Sequence, residues 1–212
     1  MCGIAGYASL KNGDKALDTV VSLLIELQHR GQESSGIAVV SHEGKDIEVK
    51  VGKGTVLDLL LNNGNNIRAF GEKRVFGAIG HVRYATSGGY VDSVTQPVVI
   101  GDDGFKLAVA FNGTIANYRL LAKELGIRDP ESDVDFFSKV LYMFAREYGN
   151  DVVEALKELS KMVVGGYAVV VLTSEPRIVA AKDSRGFRPL SYVFHDYEFV
   201  IASETAALDV VG

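Results

Sequence analysis

The chain opens with Met1-Cys2-Gly3-Ile4-Ala5-Gly6, and Cys2 is the only cysteine among its 212 residues. Initiator methionine is normally removed when the second residue is small, which would leave Cys2 with both a thiol and a free α-amine. Their ordinary pKa values are about 8.5 and about 7.7–8.0, so the neutral amine can act as a general base for the thiol of the same residue. The apolar residues that follow predict a short buried strand over residues 3–8. A cysteine packed as a small hydrophobic side chain is the alternative interpretation.

The composition excludes several classes of function. Apolar residues make up 47% of the chain and charged residues 23%, as in ordinary globular domains. A net charge of −5 gives no electrostatic footprint for nucleic acid or an anionic membrane, and the longest apolar runs are too short to span a bilayer. A single cysteine forms no internal disulfide, and four scattered histidines lack the spacing of metal ligands. We therefore expect a cytoplasmic protein that binds no nucleic acid, membrane, metal or cofactor.

Hydrophobic periodicity predicts helices and strands in blocks rather than in strict alternation. The helical stripes cover about residues 14–28, 56–61, 115–125, 132–148, 151–163 and 203–208, and the strand-like runs cover 3–8, 37–40, 47–51, 75–82, 107–111, 167–173, 177–182, 190–194 and 198–202. Several of these strands are apolar on both faces, as expected for strands that are covered on both sides. The pattern predicts one α+β domain in which helices cover both faces of stacked, largely antiparallel sheets. Residues 86–96 predict a long mobile loop.

One candidate binding residue leaves the end of a predicted strand. Arg83 follows the apolar run over residues 75–82 and is close in sequence to the hydroxyl group of Thr86. A guanidinium beside hydroxyl groups forms a fork that binds a carboxylate. A surface ion pair is the alternative for Arg83, and His81 is interpreted as a packed core histidine.

Two further stretches each allow a structural and a chemical interpretation. Asn112-Gly113 is a common turn sequence, yet a side-chain NH2 beside a freely approachable backbone amide is also what an oxyanion hole requires. Ser132 predicts a helix cap and Asp133 suits the first helical turn, yet the Asp133 carboxylate can also bind an ammonium group. Together with the N-terminal thiol and Arg83, these groups describe a site that attacks the side-chain carbonyl of a free amino acid.

Five stretches together resemble the class II glutamine amidotransferases, namely the N-terminal Cys-Gly-Ile, His29-Arg30-Gly31, the run over residues 83–88, Asn112-Gly113 and Ser132-Asp133. Those enzymes are N-terminal nucleophile hydrolases with a four-layer αββα fold. Residues 27–33, 186–190 and 202–204 are most similar to the glutaminase domains of glutamine phosphoribosylpyrophosphate amidotransferases, which serve purine synthesis. The resemblance extends over essentially the whole chain, so it implies a four-layer αββα sandwich of two stacked sheets.

The resemblance also implies a role for each candidate residue. It assigns the catalytic step to three residues: Cys2 attacks the side-chain amide of L-glutamine to form a γ-glutamyl thioester, and Asn112 and Gly113 hold the oxyanion. The glutamine itself would be bound by four residues, with Arg83 and Thr86 at its α-carboxylate, Asp133 at its α-ammonium group and Arg30 beside the nucleophile.

The expected products are glutamate and ammonia, so an ammonia-accepting synthase subunit or domain is the expected partner. The sequence predicts one glutaminase domain over residues 1–212 and no phosphoribosyltransferase domain, because no acidic phosphoribosyl-pyrophosphate motif is found. Maturation would require only the removal of Met1. Two alternatives stay open: the same chemistry serving another acceptor, such as a glutamate-synthase-like complex, and a non-catalytic glutamine-binding regulatory domain. A homo-oligomer is also left open.

Overall fold

Antiparallel β-sheets form the centre of the computed structural model, which describes residues 1–11, 13–44, 46–61, 70, 75–84 and 95–211. The strands are β1 (Gly3–Ser9), β2 (Ser34–Ser41), β3 (Ile47–Lys53), β4 (Val75–Arg83), β5 (Val98–Asp102), β6 (Phe105–Ile115), β7 (Gly165–Thr173), β8 (Arg177–Lys182), β9 (Ser191–His195) and β10 (Glu198–Ala202). The helices are α1 (Ala16–Glu26), α2 (Val56–Leu61), α3 (Tyr118–Glu124), α4 (Asp133–Glu147), α5 (Val152–Met162) and α6 (Thr205–Leu208), with a 3₁₀ helix over Leu27–Arg30. Within the described residues, one sheet has six strands in the order β3-β2-β4-β1-β10-β9, and the other has four in the order β5-β6-β7-β8.

Three apolar clusters divide the molecule into four layers. Helices α1, α2 and α6 pack on the outer face of the six-stranded sheet, through side chains such as Leu23 and Leu59. Helices α3, α4 and α5 pack on the outer face of the four-stranded sheet, where Phe137 of α4 meets Phe111 of β6. The third cluster, which includes Ile4, fills the space between the two sheets. The predicted α+β fold, a four-layer αββα sandwich, is therefore confirmed.

The structure corrects the sequence-based predictions around β6. The sequence patterns do not predict strand β5, although every residue of β5 pairs with a residue of β6. Strand β6 continues through Asn112-Gly113 to Ile115, so the turn interpretation of this dipeptide is wrong, and helix α3 begins at Tyr118 rather than near residue 115. The cause is tertiary, because Asn112 and Gly113 both pair with β7, and that ladder outweighs the turn preference of Asn-Gly.

Two other predicted segments differ in extent. The helix expected over residues 14–28 is α1, which passes directly into the 3₁₀ helix that ends at Arg30. Of the loop expected over residues 86–96, only residues 95 and 96 lie within the part of the chain that the structure describes.

Candidate active site

Three strand ends meet at one edge of the sandwich. Strands β1 and β4 are antiparallel neighbours, so Cys2, just before β1, lies beside Arg83 at the end of β4. Across the interior, the ring of buried His81 in β4 faces the backbone of Phe111 in β6, one residue before Asn112. The structure therefore places the candidate nucleophile, the candidate carboxylate receptor and the Asn-Gly dipeptide at the same edge.

Strand alternation directs two of these side chains into the space between the sheets. Side chains two residues apart on a strand share one face. Asn112 continues the alternation of Ala110, which belongs to the interior cluster, and it is 2% exposed. Cys2 lies two residues before Ile4, another interior residue, and its thiol is free and half-buried. The thiol and the amide group thus face a common space from opposite sheets.

The backbone of Cys2 is held by a buried arginine. Arg30, at the end of the 3₁₀ helix, donates from Nε to the Cys2 carbonyl oxygen at 2.9 Å. Its Nη1 donates to Oε1 of Glu204, and His29 Nε2 lies 3.1 Å from Oε2 of the same carboxylate. The Arg30 hydrogen bond is the main reason that the pKa of Glu204 lies below its ordinary value. An ionised Glu204 therefore fixes Arg30, and Arg30 fixes the start of β1.

A second anchor for the start of β1 comes from the end of β10. The hydroxyl of the fully buried Ser203 accepts a hydrogen bond from the Ile4 N–H at 3.0 Å, and the Ser203 N–H donates to the Ile4 carbonyl at 2.9 Å. Glu204 follows directly. Residues 202–204 are marked in the sequence only by their resemblance to a family, and no local pattern indicates that Ser203 and Glu204 support the start of β1.

One side-chain donor at this edge has no partner in the described chain. Asn112 Nδ2 is buried and makes no hydrogen bond to any residue that the structure describes. Leaving a buried polar group unsatisfied costs about 1–3 kcal/mol, so an unpaired NH2 group favours a ligand-binding role over a packing role.

A backbone donor lies beside this amide group. In an antiparallel strand the N–H groups of successive residues point to opposite sides, so those of every second residue lie on the same edge. Phe111 N–H donates to Gln96 Oε1 at 2.7 Å and Ile115 N–H donates to Asp133 Oδ2 at 3.0 Å, both away from β7. The N–H of Gly113 lies between them on the same edge. The β5–β6 pairing stops at Val98 and Val109, so β5 does not reach Gly113. Asn112 Nδ2 and this N–H are neighbouring donors, and the oxyanion-hole hypothesis requires two such donors.

The carboxylate of Asp133 lies at the same strand end. Asp133 is the first residue of α4, and burial raises its pKa above the ordinary value, while the hydrogen bond from Ile115 N–H and other backbone N–H groups oppose the shift. The cap of α4 is made by Ser132, whose side chain accepts from Asp135 N–H at 3.1 Å, as predicted. Ser132 therefore makes the side-chain cap, and the Asp133 carboxylate instead accepts the Ile115 N–H at 3.0 Å.

The guanidinium of Arg83 is largely buried and loosely paired. Arg83 is 13% exposed at its side chain, and its Nη1 lies 3.9 Å from Glu33 Oε2, too far for a hydrogen bond. Nη1 has no hydrogen-bond partner among the described residues. Gly31 passes so close that an added Cβ would lie 2.3 Å from the Arg83 carbonyl carbon and 2.7 Å from the Tyr84 nitrogen. Thr86, the other predicted carboxylate ligand, lies outside the described residues.

The segment after β8 closes the same edge. Arg188 Nη1 lies 3.0 Å from Met1 Sδ, so this segment reaches the N-terminus. The buried Asp183 organises it by accepting hydrogen bonds from the N–H of Phe187 at 3.1 Å and of Tyr167 in β7 at 3.0 Å. Residues 183–190 therefore join the N-terminus to the sheet that carries Asn112 and Gly113.

Other features of the described chain carry none of this chemistry. An apolar cavity of about 360 Å³ opens at the opposite end of β1, lined by residues such as Ala8, Phe76 and Phe199. In residues 1–11, 13–44, 46–61, 70, 75–84 and 95–211, no three His, Cys, Asp or Glu side chains converge as a set of metal ligands. Nor does any helix in that part of the chain have the length and apolarity needed to cross a membrane.

Comparison with known proteins identifies the class to which this site belongs. The profile of the family described as glutamine amidotransferase domain matches residues 81–210, more than half of the chain. The chain belongs to this family of glutamine amidotransferase domains.

Within the family, the chain is similar to amidophosphoribosyltransferases. That of Archaeoglobus fulgidus is 35% identical over the whole chain and 45% of the relative, and that of Bacillus subtilis is 33% identical over the whole chain and 42% of the relative. The solved glutamine phosphoribosylpyrophosphate amidotransferase from B. subtilis, complexed with ADP and GMP, matches with a TM-score of 0.81 and 31% identity, over 100% of this chain and 44% of that one. This match confirms the N-terminal nucleophile hydrolase fold. The chain spans less than half the length of these relatives.

Proposed function

We propose that this domain hydrolyses L-glutamine to glutamate and ammonia, with Cys2 as the nucleophile once Met1 has been removed. The observation that carries the proposal is the unpaired, buried NH2 group of Asn112, next to Gly113 on the edge of β6 that faces away from β7. Both donors lie at the edge of the sandwich where the half-buried thiol of Cys2 lies in the opposite sheet.

The proposed reaction proceeds in two steps. The α-amine of Cys2 takes the thiol proton, and Sγ attacks the side-chain amide carbon of glutamine to give a tetrahedral oxyanion held by Asn112 Nδ2 and Gly113 N–H. The resulting ammonium group returns the proton to the leaving nitrogen, and ammonia departs from a γ-glutamyl thioester. Water, deprotonated by the same amine, then attacks the thioester and releases glutamate and the thiol.

The proposed binding contacts use the charged groups around this centre. Arg83 and Thr86 would hold the α-carboxylate of glutamine, and the loose ion pair of Arg83 supports this role because its Nη1 is left unbonded among the described residues. Asp133 would hold the α-ammonium group. Arg30 would fix the position of Cys2 through its carbonyl oxygen.

We further propose that the ammonia is passed to a synthase domain or subunit in the cytoplasm that makes phosphoribosylamine for purine synthesis. The similarity to amidophosphoribosyltransferases supports this acceptor. A second candidate acceptor is fructose 6-phosphate. It is favoured by the similarity to the glutamine–fructose-6-phosphate aminotransferase of Thermus thermophilus, which is 34% identical over 98% of the chain and 32% of the relative. Glutamine-dependent product formation, measured with each purified synthase in turn, separates the two acceptors.

The central test compares glutamate release by three proteins: wild type, Cys2→Ala, and a variant with one Ala inserted between Met1 and Cys2. Intact mass first establishes that Met1 has been removed from the wild type. We expect turnover only in the wild type, because the insertion keeps the thiol but converts its amine into an amide. Equal rates in wild type and Cys2→Ala would exclude Cys2 catalysis, and no turnover in either protein would favour a glutamine-binding regulatory domain. Full activity of the insertion variant would exclude the α-amine as the base.

A further inference from the structure

Gln96 is a buried polar residue that the proposed mechanism does not use. It is 6% exposed and lies just before Pro97 and the start of β5. Its Oε1 accepts a hydrogen bond from the Phe111 N–H at 2.7 Å. Val98 pairs with Val109, and the same register extended by two residues places Gln96 across from Phe111. The side chain therefore completes the β5–β6 ladder at the point where the backbone of β5 no longer pairs.

This hydrogen bond is adjacent to the proposed oxyanion donors. The next N–H on the same edge of β6 belongs to Gly113, and the one after it, from Ile115, is bound by Asp133. Side-chain acceptors thus hold the strand on both sides of Gly113. Asn112 lies between Phe111 and Gly113, so the direction of its side chain depends on the same peptide planes.

Gln96 also rests on the opposite sheet. An added Cβ on Gly36 of β2 would lie 2.2 Å from the Gln96 carbonyl oxygen, so the backbone of Gln96 packs directly on the six-stranded sheet. Gly36 pairs with His81, whose ring faces the Phe111 backbone. One residue therefore contacts the sheet that carries Cys2 through its backbone and the sheet that carries Asn112 through its side chain.

We propose that Gln96 is a positioning residue for the oxyanion hole, which sets the distance of the Asn112 NH2 and the Gly113 N–H from the Cys2 thiol. This role rests on the proposed glutaminase function. Loss of one oxyanion donor lowers turnover by about 10²–10³, and a misplacement of about 1 Å lowers it by up to about 10². Displaced but present donors should therefore lower kcat by about 10- to 100-fold.

The test measures kcat and KM for glutamine in two variants. Gln96→Leu removes the acceptor and keeps most of the volume, and we expect its kcat to fall about 10- to 100-fold while KM changes less than about threefold. Gln96→Glu keeps an oxygen acceptor and should recover most of the lost turnover. Alkylation of Cys2 by iodoacetamide needs no oxyanion hole, so its rate should equal that of wild type in both variants. Gln96→Met, which is similar in length to glutamine, replaces Gln96→Leu should the latter not fold.

Ser174→Ala is the matched control. The buried hydroxyl of Ser174 accepts from the N–H of Lys106 at 2.9 Å, at the other end of β6. Each variant removes one side-chain acceptor that binds an N–H group of β6. The melting temperature should therefore fall in both variants, whereas kcat should fall only in Gln96→Leu. An equal kcat loss in both, an unchanged kcat in Gln96→Leu, or a rise in KM alone would overturn the positioning role. A wild-type domain without turnover contradicts the proposed function, whereas wild-type turnover that Gln96→Leu leaves intact contradicts only the role of Gln96.

Discussion

At the scale of one residue, a structural role and a binding role of Asp133 can be separated by experiment. Its carboxylate accepts the N–H of Ile115, and burial raises its pKa. For an acid whose folded pKa is raised, the fold is more stable when the group is protonated, and that advantage is lost as the pH rises through the folded pKa. At neutral pH the ionised carboxylate is therefore held at a cost to stability, which favours a role in binding a cation.

For Asp133→Asn we expect a KM for glutamine that is about 10- to 100-fold higher, because a charge-assisted bond to an ammonium group contributes about 1.5–3 kcal/mol. Asparagine keeps an oxygen that can accept the Ile115 N–H, so the melting temperature at pH 7 should not fall. Calorimetry and initial-rate kinetics measure the two effects.

Asp135→Asn is the control for this substitution, since Asp135 lies in the same helical turn and pairs with Lys139 at 2.7 Å. It should leave KM unchanged. A large loss of melting temperature in Asp133→Asn together with an unchanged KM would assign Asp133 to the helix terminus alone.

Among the secondary-structure elements, the contact between the 3₁₀ helix and the end of β4 controls the shape of the site. Gly31 follows the 3₁₀ helix in extended conformation, which any residue can adopt, so only space restricts this position. An added Cβ would lie 2.5 Å from the Arg83 carbonyl oxygen, a contact that only a shift of the backbone can relieve. One residue further along the chain, the Tyr84 carbonyl oxygen lies 3.9 Å from Cys2 Sγ.

We therefore expect Gly31→Ala to move the end of β4 away from the 3₁₀ helix and to lower kcat/KM for glutamine by about tenfold or more, as misplacements of this size do. Overpacking should also lower the unfolding free energy by about 1–3 kcal/mol. Gly104→Ala is the control, because the nearest atom to its Cβ would be the Asp102 Oδ1 at 3.2 Å, on an exposed turn. Wild-type kinetics in Gly31→Ala would show that β4 yields without moving Arg83.

At the scale of the whole molecule, the space between the two sheets contains a histidine that burial keeps uncharged at neutral pH. Burial lowers the pKa of His81 to about 3, the positive charge of Arg83 adds to the shift, and the Phe111 backbone opposes it. In the unfolded chain a histidine binds its proton near a pKa of about 6.5. The unfolded state therefore gains protons first as the pH falls, and the native state loses stability from about pH 6.5 downward to about pH 3.

This linkage predicts that His81→Leu loses less stability than wild type between pH 7 and pH 5, a range above the titration of most carboxylates. Denaturant unfolding at several pH values measures the slope. His195→Gln, which changes a histidine with a largely exposed side chain, should give the wild-type slope. Parallel curves for wild type and His81→Leu would mean that His81 does not contribute to acid unfolding.

The sequence determined the layered α+β fold and the glutamine amidotransferase class, because both depend on local patterns. Apolar alternation and helical stripes follow from which face each element buries, and a cysteine behind the initiator methionine is visible without any contact. Tertiary structure alone decided that Asn112-Gly113 continues a strand, that β5 and Gln96 extend beside it, and that Glu204 supports Cys2 through Arg30. Arg30 and Glu204 are 174 residues apart, and Gln96 acts on Phe111 through a bond between strands. Such pairings depend on how the sheets stack, which no local pattern records.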